Sequence, residues 1–522
     1  MIREIFRRKC LRLWLCKPEY MERTKWENRF VLLRFRKKNY MMFLKDLKRF
    51  KMERLYDKLK AYSESDFYAF HMPGHKRNKA LLGIELPYDL DITEIDGFDD
   101  LHHADGILKE EQERAARVFG AEESYFLVNG STAGILSAVM GCTHRGDKIL
   151  VARHCHKSIY HAIYMNGLVP RYVYPEFDIS MHMNGEISKE DVAKALAAES
   201  DIKAVVIVSP NYDGVVSDVK GIAEVAHSYR IPLIVDEAHG PHFGFHPAFP
   251  GRANDLGADV VINSLHKTLP SLTQTAILHI NGKLANRRRI KKYLDMLQSS
   301  SPSYIFMASL DACVDFVDGK CEEAFELYVE RLQKFREELE PLQHLQILRT
   351  EHYDISKVVI STANANITSP ELADRLRKEY HLEMEMTGGT YVLAMTTVAD
   401  TQEGLDRLKA ALLEIDGQLE AKTAVSGSIE ISGELPRLEQ YFTPQEAADR
   451  EEDGEAEEIP WKESEGHISL EYAYLYPPGS PVIVPGERIS QEAVELLRYY
   501  ETQNLQIEGI QTEGKIKVWK HE

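Results

Sequence analysis

The chain has 522 residues, 44% hydrophobic and 28% charged, so it carries enough apolar material for a large core and is neither fibrous nor disordered. Lys and Arg number 64 against 82 Asp and Glu, and a net charge of −18 argues against a nucleic-acid or other polyanion binder, which needs a basic surface. No run approaches the roughly 18 apolar residues of a membrane helix, and the six cysteines show neither a CxxC pair nor zinc-like spacing, so free thiols, no metal and a cytoplasmic location are expected.

Residues 1–51 hold 17 Lys+Arg against 5 Asp+Glu, with aromatic residues at no helical period. They read as an extension outside the fold, with Met52 as the functional start. From there Leu55, Leu59 and Tyr62 fall at helical spacing and open an N-terminal arm over 52–100. Short β-rich apolar runs then alternate with amphipathic helical stretches: Tyr125–Val128, Lys148–Val151, Arg171–Tyr174, Ala204–Val208, Leu233–Asp236, Asp259–Asn263 and Thr275–Ile280. This is the pattern of an α/β domain, residues 101–320, with a mostly parallel seven-stranded sheet covered on both faces. A long helical stretch runs from Met307 to Leu339, and a smaller α+β domain is expected over 321–430. In the final piece, 431–522, the acidic segment Glu446–Pro460 reads as a solvated linker ahead of Tyr476-Pro477-Pro478-Gly479.

Asp236 (in IVDEAHG) and Lys267 (in INSLHK) each close a predicted strand, and in open α/β sheets ligands bind at that edge. A desolvated lysine there has its amine pKa lowered enough to condense with an aldehyde cofactor. An aspartate facing the same cofactor keeps a pyridinium nitrogen protonated, so that the ring accepts electrons. Taken singly, Lys267 would be a surface lysine and Asp236 a helix cap; together they point to pyridoxal 5'-phosphate. Gly130-Ser131-Thr132, between a strand and a helix, offers backbone N–H groups and two hydroxyls to a phosphate, and Ser264 and His266 flank the lysine within reach of the same group. His156 follows the second strand, and His239 lies close enough to Asp236 to hydrogen-bond it or a cofactor oxygen.

Seven motifs together resemble the Orn/Lys/Arg decarboxylase family: FHMPGHK (Phe70–Lys76), DITEIDGFDDLH (Asp91–His102), FLVNGSTAG (Phe126–Gly134), RHCHKS (Arg153–Ser158), DEAHG (Asp236–Gly240), SLHKTLPSLTQ (Ser264–Gln274) and YPPGSPVIVPGE (Tyr476–Glu487). The resemblance implies an aspartate-aminotransferase-like, fold type I core and decarboxylation of arginine, lysine or ornithine in polyamine biosynthesis. It also implies a homodimer or dimer of dimers of the short type, without the N-terminal wing domain. Lys267 would carry the cofactor, with Asp236 on its ring nitrogen and His156 stacked on the ring. Ser131, Thr132, Ser264 and His266 would hold the phosphate, and Ser299–Tyr304 would reach the phosphate of a neighbouring subunit.

Other fold type I reactions remain open at this stage, because an aminotransferase would clamp the substrate carboxylate with an arginine such as Arg349, Arg375, Arg377 or Arg407. A non-catalytic regulatory relative is a second alternative, against which the retention of Lys267 and Asp236 counts. Glu471 and Glu487 are candidates for the distal cation of the substrate, although each reads more simply as a solvated surface glutamate.

Overall fold

The computed structural model describes residues 54–178, 183–421, 435–475, 479–502 and 505–520; the basic segment 1–51, the expected start at Met52, and Tyr476, Pro477 and Pro478 lie outside the described residues. Helix α1 (Leu55–Ser63) buries Leu55 and Leu59, the residues whose spacing predicts it. Its first N–H, on Leu55, donates to Asp311 Oδ2 at 2.9 Å. The chain then runs without helix or strand to residue 100, and α2 (Ile107–Phe119) leads into the large sheet.

That sheet contains β1 (Glu123–Leu127), β2 (Lys148–Ala152), β3 (Val169–Val173), β4 (Ile202–Val208), β5 (Leu233–Asp236), β6 (Val260–Asn263) and β7 (Ala276–Ile280). Each coincides with a predicted run. The spatial order is β1-β7-β6-β5-β4-β2-β3. Strand β7 is antiparallel to both neighbours, and every other pairing is parallel. The central strands β5 and β6 are buried along their whole length, which is why they read as continuous apolar runs rather than alternating ones. Helices α3 (Gly130–Cys142), α4 (Lys157–Met165), α5 (Lys189–Ala198), α6 (Val219–Ser228), the single turn α7 (Leu265–Thr268) and α8 (Arg287–Leu297) supply the connections. The apolar faces of α3–α6 and α8 share one core with the strands, which includes Ile135, Ile159, Ile222 and Ile290, while Leu265 of α7 packs with Phe126 and Ile277 in a second one.

The helical stretch after Met307 is two helices, α9 (Tyr304–Val317) and α10 (Glu322–Glu338). Gly319 adopts φ 73 between them, a left-handed conformation that ends a helix at low steric cost. Four short strands follow, β8 (Gln346–Ile347), β9 (Lys357–Ser361), β10 (Met386–Thr387) and β11 (Tyr391–Met395). They form an antiparallel sheet ordered β8-β9-β11-β10, accompanied by α11 (Ser369–Tyr380) and α12 (Gln402–Asp416).

The C-terminal part corrects the expectation of an acidic linker. Residues Pro444–Glu452 form α13, begun by a capping box in which Thr443 and Glu446 exchange hydrogen bonds, and Ala456–Pro460 form β12. Further along come β13 (Ala473–Leu475), β14 (Pro481–Ile483), α14 (Gln491–Thr502) and β15 (Lys515–Trp519), with β12 paired antiparallel to β15. The charges of the segment face water, while Pro444 and Ala447 turn inward and Ile459 packs on the local core. An acidic surface on an ordered helix and edge strand has the same composition as a linker. No described helix is long and apolar enough to cross a membrane.

Candidate active site

Strands β5 and β6 run side by side with Asp236 opposite Ile262, so Asp236 and the turn α7 that follows β6 emerge at the same edge of the sheet. Asp236 is 3% exposed, and its Oδ1 accepts the Ala238 N–H at 3.1 Å. Burial raises its pKa, opposed by the charge of Lys267. Lys267 is the converse case: burial lowers its pKa, Asp236 opposes this, and Lys357 pushes the same way as burial. The sequence thus places a desolvated amine and a buried carboxylate in mutual electrostatic contact.

Lys267 Nζ lies 2.7 Å from His239 Nε2. This hydrogen bond goes to the lysine, a partner beyond the two the sequence offered, Asp236 or a cofactor oxygen. Burial, then the Lys267 charge, hold the His239 pKa well below its ordinary value, so the ring is neutral. The Tyr212 ring packs 4.5 Å from that of His239 and lies 5.9 Å from Lys267 Nζ, centroid to nitrogen. His156 caps α4, its Nδ1 accepting the Ser158 N–H at 3.2 Å. Burial and the Lys267 charge lower its pKa to about 4, which places it in the same electrostatic neighbourhood.

At the other end of the candidate site, α3 starts directly after β1 with Gly130 at φ 75, where an L side chain would be strained. A Cβ added at Gly134 would meet Leu127 Cδ1 at 2.6 Å, so that glycine lets α3 lie close on the sheet. Asn129 does not cap α3 with its side chain; its Oδ1 accepts the Ser299 N–H of the same chain at 3.2 Å. Ser303 instead caps α9. His266 Nδ1 donates to Thr275 O at 2.7 Å.

Two buried polar atoms here, Ser264 Oγ and His239 Nδ1, have no hydrogen-bond partner among the described residues. An unsatisfied buried group costs about 1–3 kcal/mol, so such atoms mark places where a ligand supplies the missing bond. A hydroxyl suits a phosphate oxygen and a ring nitrogen suits a phenolic oxygen. With a desolvated lysine and a strand-end aspartate beside them, these residues fit pyridoxal phosphate.

Several residues escape sequence reasoning. Tyr212 sits just beyond the end of β4, and that strand-end position was its available signal. A fully buried network joins the small sheet to the site: His242 contacts Thr268 Oγ1 at 3.0 Å and Asp354 Oδ1 at 3.1 Å, while Lys357 Nζ donates to Asp354 Oδ2 at 3.2 Å and His239 O at 3.4 Å. Burial works to raise the Asp354 pKa, but His242 and Lys357 hold it well below the carboxylate range.

Glu471 and Glu487 are not solvated. Glu487 is 0% exposed and pairs with Arg153 through two contacts of 2.6 and 2.8 Å, and it also accepts the Val484 N–H. Glu471 is 4% exposed and accepts the N–H groups of Gln511 and Lys517. Carboxylates are buried when hydrogen-bonded and paired in this way, and these bonds spend their capacity on the protein itself. The four arginines that would favour transamination hold local partners: Arg349 with Glu340, Arg375 with Glu379, Arg377 with Asp374, and Arg407 with Tyr380 O.

The family model for the Orn/Lys/Arg decarboxylase major domain matches residues 53–422, and that for the Orn/Lys/Arg decarboxylase C-terminal domain matches residues 433–514. An arginine decarboxylase of Bacillus subtilis is 34% identical over 459 residues, 85% of this chain and 92% of the relative. A lysine decarboxylase, LdcA, of Pseudomonas aeruginosa is 25% identical over 552 residues, 83% of this chain and 73% of the relative. The crystal structure of the Francisella novicida lysine decarboxylase LdcF superposes with a TM-score of 0.76 at 19% identity, covering 92% of this chain and 83% of that one. The fold is therefore the fold type I architecture. The chain belongs to the Orn/Lys/Arg decarboxylase family, the pyridoxal-phosphate-dependent decarboxylases of basic amino acids.

Proposed function

We propose that this chain decarboxylates arginine to its amine and CO₂, as a cytoplasmic enzyme of polyamine biosynthesis, with the site centred on Lys267. The observation that carries the site is the desolvated Lys267 amine beside buried Asp236 at neighbouring strand ends. Arginine over lysine is supported by the arginine decarboxylases among the relatives, at 32–34% identity against 25% for the lysine enzyme.

Pyridoxal phosphate, when bound, supplies a ring that accepts the electron pair released as the Cα–carboxylate bond breaks. Lys267 is its attachment point, because burial keeps the amine less basic and nucleophilic. Asp236 would hold the proton of the ring nitrogen. Neutral His156 would present a flat face for stacking, and Gly130, Ser131, Thr132, Ser264 and His266 would hold the phosphate, the Ser264 hydroxyl having no other partner among the described residues. His239 orients the Lys267 amine, and the proton shared between Nε2 and Nζ would make this pair the proton donor of the site.

The working unit is a homodimer or dimer of dimers. One chain leaves Phe67, Tyr68, Phe70, Met72, Leu81 and Leu82 exposed on the N-terminal arm, an apolar run that a second copy would cover. Residues 101–320, 321–430 and 431–522 are the large, small and C-terminal domains of that unit. Incubation with carboxyl-labelled arginine, lysine and ornithine tests the reading: the highest kcat/KM for labelled CO₂ release should fall to arginine, and release from none of the three would overturn it.

A further inference from the structure

Glu385 differs from the buried carboxylates around the site, Asp236, Asp354, Glu471 and Glu487. It is exposed, directly precedes β10 in the small sheet, and accepts a hydrogen bond from the Tyr212 hydroxyl. Tyr212 belongs to the segment beyond β4 of the large sheet, and its ring packs 4.5 Å from that of His239 and 5.9 Å from Lys267 Nζ. A carboxylate thus stands one aromatic ring away from the reactive amine, and its charge acts on that amine. The alternatives are already engaged. Asp236 is buried at the strand end, Asp354 is held by His242 and Lys357, and Asp213 is buried and accepts the Tyr391 hydroxyl at 2.5 Å. Glu471 and Glu487 are bonded as described.

A basic amino acid places its second cation at the far end of a flexible chain, so its recognition needs an anion set back from the attachment lysine. A guanidinium pairs best with a carboxylate whose orientation is fixed in advance, because two parallel N–H···O bonds demand it. The Tyr212 hydroxyl uses one lone pair of Glu385 Oε1, and the Glu385 carboxylate takes no further hydrogen bond or ion pair from the described residues. We propose that Glu385, oriented by Tyr212, receives the distal cation of the substrate, the guanidinium of arginine; this rests on the functional reading above.

The test compares arginine with citrulline, which has the same shape and no charge, on wild-type holoenzyme, Glu385→Gln and Tyr212→Phe. Binding of the amine product of arginine is measured alongside by equilibrium dialysis. For Glu385→Gln the account expects KM for arginine and Kd for the amine to rise about tenfold to a hundredfold, the worth of a charge-assisted bond, with kcat for arginine nearly unchanged. Any citrulline turnover should be the same in the variant and the wild type. Tyr212→Phe should raise KM for arginine by less. An unchanged KM and Kd in Glu385→Gln, in an active wild-type background, would overturn this inference alone, as would equal losses for arginine and citrulline. A wild type that neither binds nor decarboxylates any basic amino acid would overturn the functional reading and this inference with it.

Discussion

Replacing Glu487 by Gln removes the negative half of a pair whose side chains are 2% and 0% exposed, leaving the Arg153 guanidinium charged in a buried site. Arg153 retains Val482 O at 2.9 Å and the Tyr172 ring at 4.7 Å, neither of which neutralises it. Removing one partner of a buried ion pair costs about 3–5 kcal/mol, which at 1.4 kcal/mol per decade raises the population of a locally open state by roughly 10²- to 4 × 10³-fold. The Val484 N–H donates to Glu487 Oε2 at 2.9 Å, so its exchange with deuterium reports that opening directly. Protection of the peptide spanning residues 479–489 should fall by that factor. Arg153→Met combined with Glu487→Gln should recover most of it, because the amide oxygen still accepts the Val484 N–H and no unpaired charge is left in the buried site. Unchanged protection in Glu487→Gln, or a double variant no better than the single one, would refute the reasoning.

Glu237 is fully buried, its pKa raised to about 8 by burial, with its oxygens accepting from Ala253 N–H and Asn263 Nδ2. A raised carboxyl pKa gives stability that is present below the unfolded value and lost as pH rises through the folded one, about 1.4 kcal/mol per unit. The melting temperature of Glu237→Gln should therefore gain on the wild type as pH rises from 5 to about 9, and a flat difference would contradict the assignment. Lys357→Met removes a positive charge that depresses Lys267, so the Lys267 amine in the apoenzyme, followed by NMR after reductive ¹³C-methylation, should titrate at higher pH; no shift, or a downward one, would remove Lys357 from the electrostatics of the site. Asp236→Ala should fold yet lose about two orders of magnitude or more in kcat, as expected when a preorganised charge is removed; near-normal turnover would contradict its role.

The large sheet was legible because parallel strands buried on both faces read as unbroken apolar runs, and β5 and β6 carry Asp236 and Lys267 to one edge with no further information needed. The acidic segment was not, because α13 and β12 bury only a narrow stripe and composition alone cannot separate a charged helix from a linker. Glu487 failed for a related reason: its partner Arg153 is 334 residues away in sequence, and no local pattern signals a pair made in three dimensions. The Lys357–Asp354–His242 network is invisible for the same cause. Tyr212 shares its strand-edge geometry with Asp236, but an aromatic residue in a loop has too many ordinary roles to be singled out.

The most direct test of the central claim is borohydride reduction of the pyridoxal-phosphate-loaded protein followed by peptide mapping. The account predicts a pyridoxyl label on Lys267, in the peptide that also contains Ser264 and His266. A label on another lysine, buried Lys357 included, or no label at all after reconstitution, would contradict it.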